Sequence, residues 1–244
     1  MAKRVAGIAA VASVCAALAG CAGAPVDQRP VVRIVEAAQP LVAVPLAEFL
    51  PSAPELSAAL DTGSNGVMGP LVEGDGDMLL RTVGEASATP ADCVSAAYRL
   101  QKVVYDSGAV QSVASSSWAG GDFDAPPVTG FFGVVQMASV GDAQEFFATL
   151  TEKWRRCNGQ NVALQQPGHG ADAWSRIVDV VIDDHVVSAN VLHVTSGGAA
   201  ASVSRALGLS GDNIVDVEIT DPRAAGRPAT SVAELILDKI SALR

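Results

Sequence analysis

The chain has 244 residues, 26 acidic against 16 basic side chains and a formal net charge of −10 at pH 7. Without basic clusters it cannot neutralise a phosphate backbone, which excludes nucleic acid as a partner, and an anionic lipid surface would repel it. The length suits one domain of about 200 residues with a full hydrophobic core.

The N-terminus fixes the compartment. Lys3 and Arg4 make a short positive region, Val5 to Ala19 carry no charge, and Leu18-Ala19-Gly20-Cys21 closes the stretch with small residues before a cysteine. This pattern resembles the lipobox of bacterial lipoproteins, which implies that residues 1–20 are a signal peptide and that the Cys21 thiol becomes a diacylglyceryl thioether. The alternative is an ordinary secretory signal with an incidental cysteine. A membrane span is disfavoured, because an apolar run of about 15 residues falls short of the roughly 20 needed. Losing Lys3 and Arg4 makes the remainder more acidic by two charges, so attachment rests on acyl chains, of which two give stable anchoring. The expected location is the outer face of the cytoplasmic membrane or the cell envelope.

Cys15 leaves with the signal and Cys21 carries lipid, so Cys93 and Cys157 remain in an oxidising compartment and a disulfide between them follows. A closed loop of about 65 residues would contribute roughly 4 kcal/mol in the chain-entropy model. The competing reading is two buried free thiols.

Residues 21–44 carry Pro25, Pro30 and Pro40 with no regular period, as expected of a tether, and Val31-Val32-Arg33-Ile34-Val35 is apolar enough to serve as an edge strand. The domain is expected over 45–244. Ser52-Ala53-Pro54-Glu55 is a capping box opening a helix to about Leu60. Thr89-Pro90-Ala91-Asp92 opens a second, with Cys93, Ala96, Ala97, Leu100 and Val104 at helical spacing and an end near Tyr105. A third, from about Asp142 to Arg156, sets Ala143, Phe146, Phe147, Leu150, Trp154 and Cys157 on one face. Cys93 and Cys157 would therefore staple the second helix to the third. Strands are expected over Val110–Trp118, Val128–Ala138, Trp174–Ile182, Val186–Val194 and Asn213–Ile219, with Asp183-Asp184 as a hairpin turn. Ser231 opens a last helix with Leu235, Ile236, Ile240 and Leu243 inward. The fold class is α+β, a central antiparallel β-sheet packed by helices and carrying one disulfide.

Asp61-Thr62-Gly63-Ser64 spells an aspartic-protease tetrapeptide, but it follows a helix instead of a strand and has no second copy to share a proton with. Glu73, Asp75 and Asp77 alternate with glycine, yet the glutamate a twelve-residue calcium loop needs is missing, so a solvated acidic loop is expected. His169, His185 and His193 lack metal-site spacing, although His185 and His193 share strand parity. Neither a nucleophile elbow nor a phosphate-binding glycine loop is present, so neither enzyme activity nor a cofactor is expected. Trp118, Phe131 and Trp174, with Phe132 and Tyr98, are candidates to line an apolar cleft, the plain alternative being core packing.

Together these residues resemble the PknH-like extracellular sensor domain, found on mycobacterial serine/threonine kinases and on free-standing lipoproteins. The resemblance runs from about Leu46 to the C-terminus. It is carried by Phe49-Leu50-Pro51-Ser52 with Glu55-Leu56, Thr89-Pro90-Ala91-Asp92-Cys93, Tyr105-Asp106-Ser107-Gly108, Phe131-Phe132-Gly133-Val134-Val135-Gln136 and Ala143 with Phe146. Lys153-Trp154-Arg155-Arg156-Cys157, Trp174, Ser204-Arg205-Ala206-Leu207 and Asn213-Ile214-Val215-Asp216-Val217 complete it. The family's usual second disulfide is missing, with Val203 and Thr220 standing where its cysteines would be. The resemblance implies a sheet buttressed by helices around a cleft for an extracellular ligand. Lacking a kinase and a span, the chain is expected to be a lipid-anchored, ligand-binding envelope module, with a protein partner as one route of action. The runner-up is a structural or assembly lipoprotein that holds other envelope proteins.

Overall fold

Strand-forming sequence dominates the chain from Val110 onward, and in the computed structural model it becomes one large antiparallel sheet. The structure describes residues 44–244 apart from 64–65, 84–86, 107–108, 122–123, 125, 166–170, 196–197, 199 and 224–225. The expected signal peptide, Cys21 and the expected tether up to residue 43 lie outside the described residues.

The strands are β1 (Val67–Met68), β2 (Val72–Gly74), β3 (Ser87–Thr89), β4 (Val110–Gly120), β5 (Val128–Met137), β6 (Asn161–Gln165), β7 (Ala171–Ile182), β8 (Val186–Thr195), β9 (Ala201–Ser210) and β10 (Asn213–Thr220). Their order across the sheet is β1-β4-β5-β10-β9-β8-β7-β6-β3, with β2 also on β4. β7, β8, β9 and β10 form a meander, and β10 returns against β5 with Val215 opposite Val134.

Period-two alternation then sorts the side chains. Val135, Ile214, Leu207, Val187 and Ile177 enter a first core; Val134, Val215, Ala206 and Val186 enter a second on the opposite face. The helices are α1 (Ala53–Ala59), α2 (Val94–Ala97), α3 (Lys102–Tyr105), α4 (Val140–Cys157) and α5 (Pro228–Leu243). α2 and α4 cover the first core. α1, α5 and a 3-10 turn at Leu46–Phe49 cover the second.

Each helix start has a chemical cause. Ser52 closes the capping box of α1 by donating its backbone N–H and its hydroxyl to the Glu55 carboxylate, at 2.7 and 2.8 Å. Ser139 caps α4, its hydroxyl oxygen accepting from the Asp142 N–H at 3.1 Å, and all six residues expected on the inner face of that helix are buried. The Cys93–Cys157 bridge, with Cα atoms 5.6 Å apart, joins the start of α2 to the end of α4.

Three expectations need correction. The second helix is not continuous: a 3-10 turn at Ala91–Cys93 runs into α2, the chain extends at Tyr98, and α3 follows. Tertiary bonds outcompete helical ones at this crossover. Leu100 has a φ of 48°, its N–H donates to Asp216 Oδ2 at 2.8 Å, and its carbonyl accepts from the Leu80 N–H at 2.8 Å. Secondly, the last helix starts at Pro228, where the proline needs no hydrogen-bond partner, and Leu243 is exposed while Ala229, Val232, Ala233, Ile236 and Ile240 face inward. Thirdly, β9 and β6 are strands that composition did not announce. β9 reads Ala-Ser-Val-Ser-Arg-Ala-Leu-Gly-Leu-Ser, whose small residues are strand-forming here because both neighbours are paired.

Candidate functional site

The crossover from Tyr98 to Gln101 lies on the first face, and beneath it a row of residues crosses the sheet. Phe131 of β5 pairs with Glu218 of β10, and Glu218 pairs with Arg205 of β9. Arg205 is fully buried and donates to Asp216 Oδ1 at 2.8 Å, to the Val217 carbonyl at 2.7 Å and to the Ser95 carbonyl at 3.1 Å. Asp216 also accepts from the Leu100 N–H and, at 3.1 Å, from the Tyr105 hydroxyl. Burial first, and the Asp216 charge second, push the Tyr105 hydroxyl well above its ordinary value. The buried pair therefore holds the crossover from below.

Above it the site opens. The Arg99 guanidinium lies 3.7 Å from the Phe131 ring centroid and forms an ion pair with Glu218. Beside them Tyr98 Oη is 2.7 Å from Ser175 Oγ, which is 2.7 Å from His193 Nδ1, and the Tyr98 and His193 rings are tilted against each other at 5.5 Å. Burial dominates the titration of all three polar members. It lowers His193 from 6.5, helped by the positive Arg205 and Arg99 and opposed by Glu218. It lowers Arg99 against the pull of Glu218, and it raises Tyr98. Neutral His193 with its Nδ1 occupied leaves Nε2 for another partner. The face thus offers an aromatic ring, a largely desolvated charge pair and an imidazole whose neutral form burial favours.

The residues singled out from sequence are scattered around this centre. Phe131 belongs to it, 38 % exposed. Trp118 does not: it sits in the second core at 2 % exposure. Trp174 stands on β7 opposite Val194, one residue out of phase with Ser175, so it points to the second face. Strand parity therefore prevents the three from lining one cleft. Asp61 lies in the turn leaving α1 with a φ of 49°, and Ser64 of that tetrapeptide is outside the described residues. Asp75 caps a 3-10 turn by accepting the Asp77 N–H at 2.9 Å, while Asp77 pairs with Lys102 and Arg81, so the acidic loop is a structural corner. His185 is exposed in the turn before β8, and His169 lies outside the described residues. Among the described residues no group of three His, Cys, Asp or Glu side chains could hold a metal.

Arg99, Ser175, Arg205, Asp216 and Glu218 were not picked out as functional by sequence reasoning. A signal existed for two of them: Arg205 and Asp216 take inward positions in apolar strands, where a charge needs a partner.

The sheet and its disulfide-stapled helices define an α+β domain built on one large antiparallel sheet. The family follows directly, because the model of the PknH-like extracellular domain matches residues 41–239, and the chain belongs to that family of non-catalytic, sensor-type extracellular domains. The crystal structure of the extracellular domain of PknH from Mycobacterium tuberculosis is similar at a TM-score of 0.68 and 18% identity, over 84% of this chain and 98% of that one. An uncharacterised protein from Mycobacterium smegmatis matches at 0.38 and 12% identity over 79% and 96%, and CalU16 from Micromonospora echinospora at 0.28 and 16% over 55% and 86%. No curated protein sequence matches the chain significantly. No helix among the described residues is long and apolar enough to cross a membrane.

Proposed function

We propose that this protein is exported, anchored through acyl chains on Cys21, and binds a small envelope molecule on the first face of its sheet without catalysing a reaction of its own. One observation carries the binding reading: Arg99, Tyr98 and His193, all partly buried, and the exposed Phe131 converge on one face around the buried Glu218, to which Arg99 is paired. Family membership supports a sensor-type role. Native mass spectrometry of the protein isolated from the exported fraction of its host tests binding. Extra mass that disappears on denaturation, and that is absent from an Arg99→Gln sample, is the expected result; retention of the same mass by Arg99→Gln would place the ligand elsewhere. Cys21→Ser is expected to release the protein from membranes, and continued membrane attachment would refute the anchor.

A second reading, an assembly lipoprotein acting through protein contacts, draws on Val67, which is 70 % exposed, with Leu71, Val72 and Met78 also exposed along the β1–β2 edge. A stable co-purifying partner that is lost on Val67→Glu would favour it.

A further inference from the structure

Phe131 and Arg99 also belong to a groove of about 180 Å³ whose remaining wall is Pro70, Val72, Met78, Leu80 and Leu100, with a run of β4 serines. Glu218 is not part of the groove wall; it lies one strand behind Phe131 as its cross-strand neighbour and borders the groove only through its ion pair with Arg99. An apolar slot therefore adjoins one cation and one anion.

The geometry points to a site for an apolar α-amino acid bound as its zwitterion, with the side chain in the groove, the carboxylate on Arg99 and the ammonium on Glu218. This inference rests on the reading that the first face binds a ligand. Three observations carry it.

The first is charge complementarity. Arg99 and Glu218 keep only 23% and 11% of their side-chain surfaces in water. A ligand with a single charge would capture one of them and leave the other unpaired where solvent cannot replace the loss. A zwitterion exchanges one internal ion pair for two external ones and leaves no charge uncompensated. His193 adds no third charge, since its Nδ1 is tied to Ser175 and burial favours its neutral form.

The second is size. A groove of about 180 Å³ is on the scale that a short aliphatic side chain fills. The third is adaptability. Met78 and Val72 form the outer wall and are exposed, and an unbranched thioether re-packs around different aliphatic shapes. Phe131 lies beneath Arg99 and fixes the plane of the guanidinium, which favours paired hydrogen bonds to a carboxylate.

The experiment is a two-dimensional amide NMR titration of the purified, disulfide-bonded protein with L-leucine, 4-methylpentanoate and 3-methylbutylamine. The three share one side chain and differ only in charge. Leucine is expected to move the signals of residues 99–101, 131 and 218, with each single-charge analogue binding at least about tenfold more weakly. Arg99→Gln should erase the preference for leucine over the amine, and Glu218→Gln the preference over the acid. Equal binding of leucine and either analogue to the unaltered protein overturns the inference without recourse to a variant. So does leucine that leaves those signals unmoved. If an uncharged probe such as glucose then moves the same signals, the binding face stands and only the amino-acid assignment falls; if native mass spectrometry of the exported protein also finds no mass that is lost on denaturation, the binding reading itself falls.

Discussion

Replacing Asp216 with alanine removes the acceptor that joins Arg205, the Leu100 N–H and the Tyr105 hydroxyl. The side chains of Arg205 and Asp216 are 0% and 4% exposed, so the guanidinium left behind stays out of water. Breaking one side of a buried pair costs about 3–5 kcal/mol. The Leu100 and Tyr105 donors are stranded as well, each worth about 1–3 kcal/mol, although such losses overlap. A total near 5 kcal/mol is expected, a large part of the roughly 5–15 kcal/mol that stabilises a typical domain. For a domain of this size that lowers Tm by about 10–20 °C. Thermal and urea unfolding followed by circular dichroism measure it, with an unchanged urea m-value showing that the native fold persists. The apolar pair Arg205→Met with Asp216→Leu leaves no buried charge and should recover much of the loss. A loss below about 1.5 kcal/mol for Asp216→Ala would refute the view that this pair holds the crossover to the sheet.

Reducing the Cys93–Cys157 bridge, which spans 64 residues, should cost about 4 kcal/mol, and Cys93→Ser with Cys157→Ser should show the same Tm with and without reductant. His193 has a lowered folded-state pKa, so the unfolded chain takes up its proton first and stability falls as the pH drops through about 6.5. NMR should place the His193 midpoint below 6.5, and His193→Gln should remove that part of the pH slope; a midpoint above 6.5 contradicts the burial argument. The β9–β10 register pairs Ile219 with Ser204, so Thr220 and Val203 fall opposite each other one step further. Val203→Cys with Thr220→Cys should therefore oxidise spontaneously and add about 3 kcal/mol for a loop of about 17 residues, read as a Tm rise that reductant abolishes.

Legibility in the sequence followed the range of the interactions. The α1 start rests on Ser52 with Glu55, three residues apart, and can be read locally; α4 is legible from its apolar face from about Asp142, two residues inside its true start at Val140, where Ser139 caps it through Asp142. The α2–α3 break rests on Asp216, 116 residues from Leu100, and no local pattern announces it. The same distinction governs the site. Phe131 was visible as an aromatic on a strand, yet its grouping with Trp118 and Trp174 failed because strand parity and sheet order decide which face a residue serves. Arg99 and Glu218 are separated by 119 residues, and only the return of β10 against β5 brings them together. The disulfide was readable because counting thiols in an oxidising compartment needs no geometry.

The margins of the sheet have a consequence for crowding. Wherever copies of a protein are concentrated, a long open sheet is a template for end-to-end polymerisation. Here the outer side of the eleven-residue β4 is divided between β1 and β2, two and three residues long, and the far margin is the three-residue β3. The outermost strands are thus stubs of two or three residues, which offer a neighbouring chain little to pair with. A broad sheet bordered by such short strands limits strand-to-strand addition at those margins.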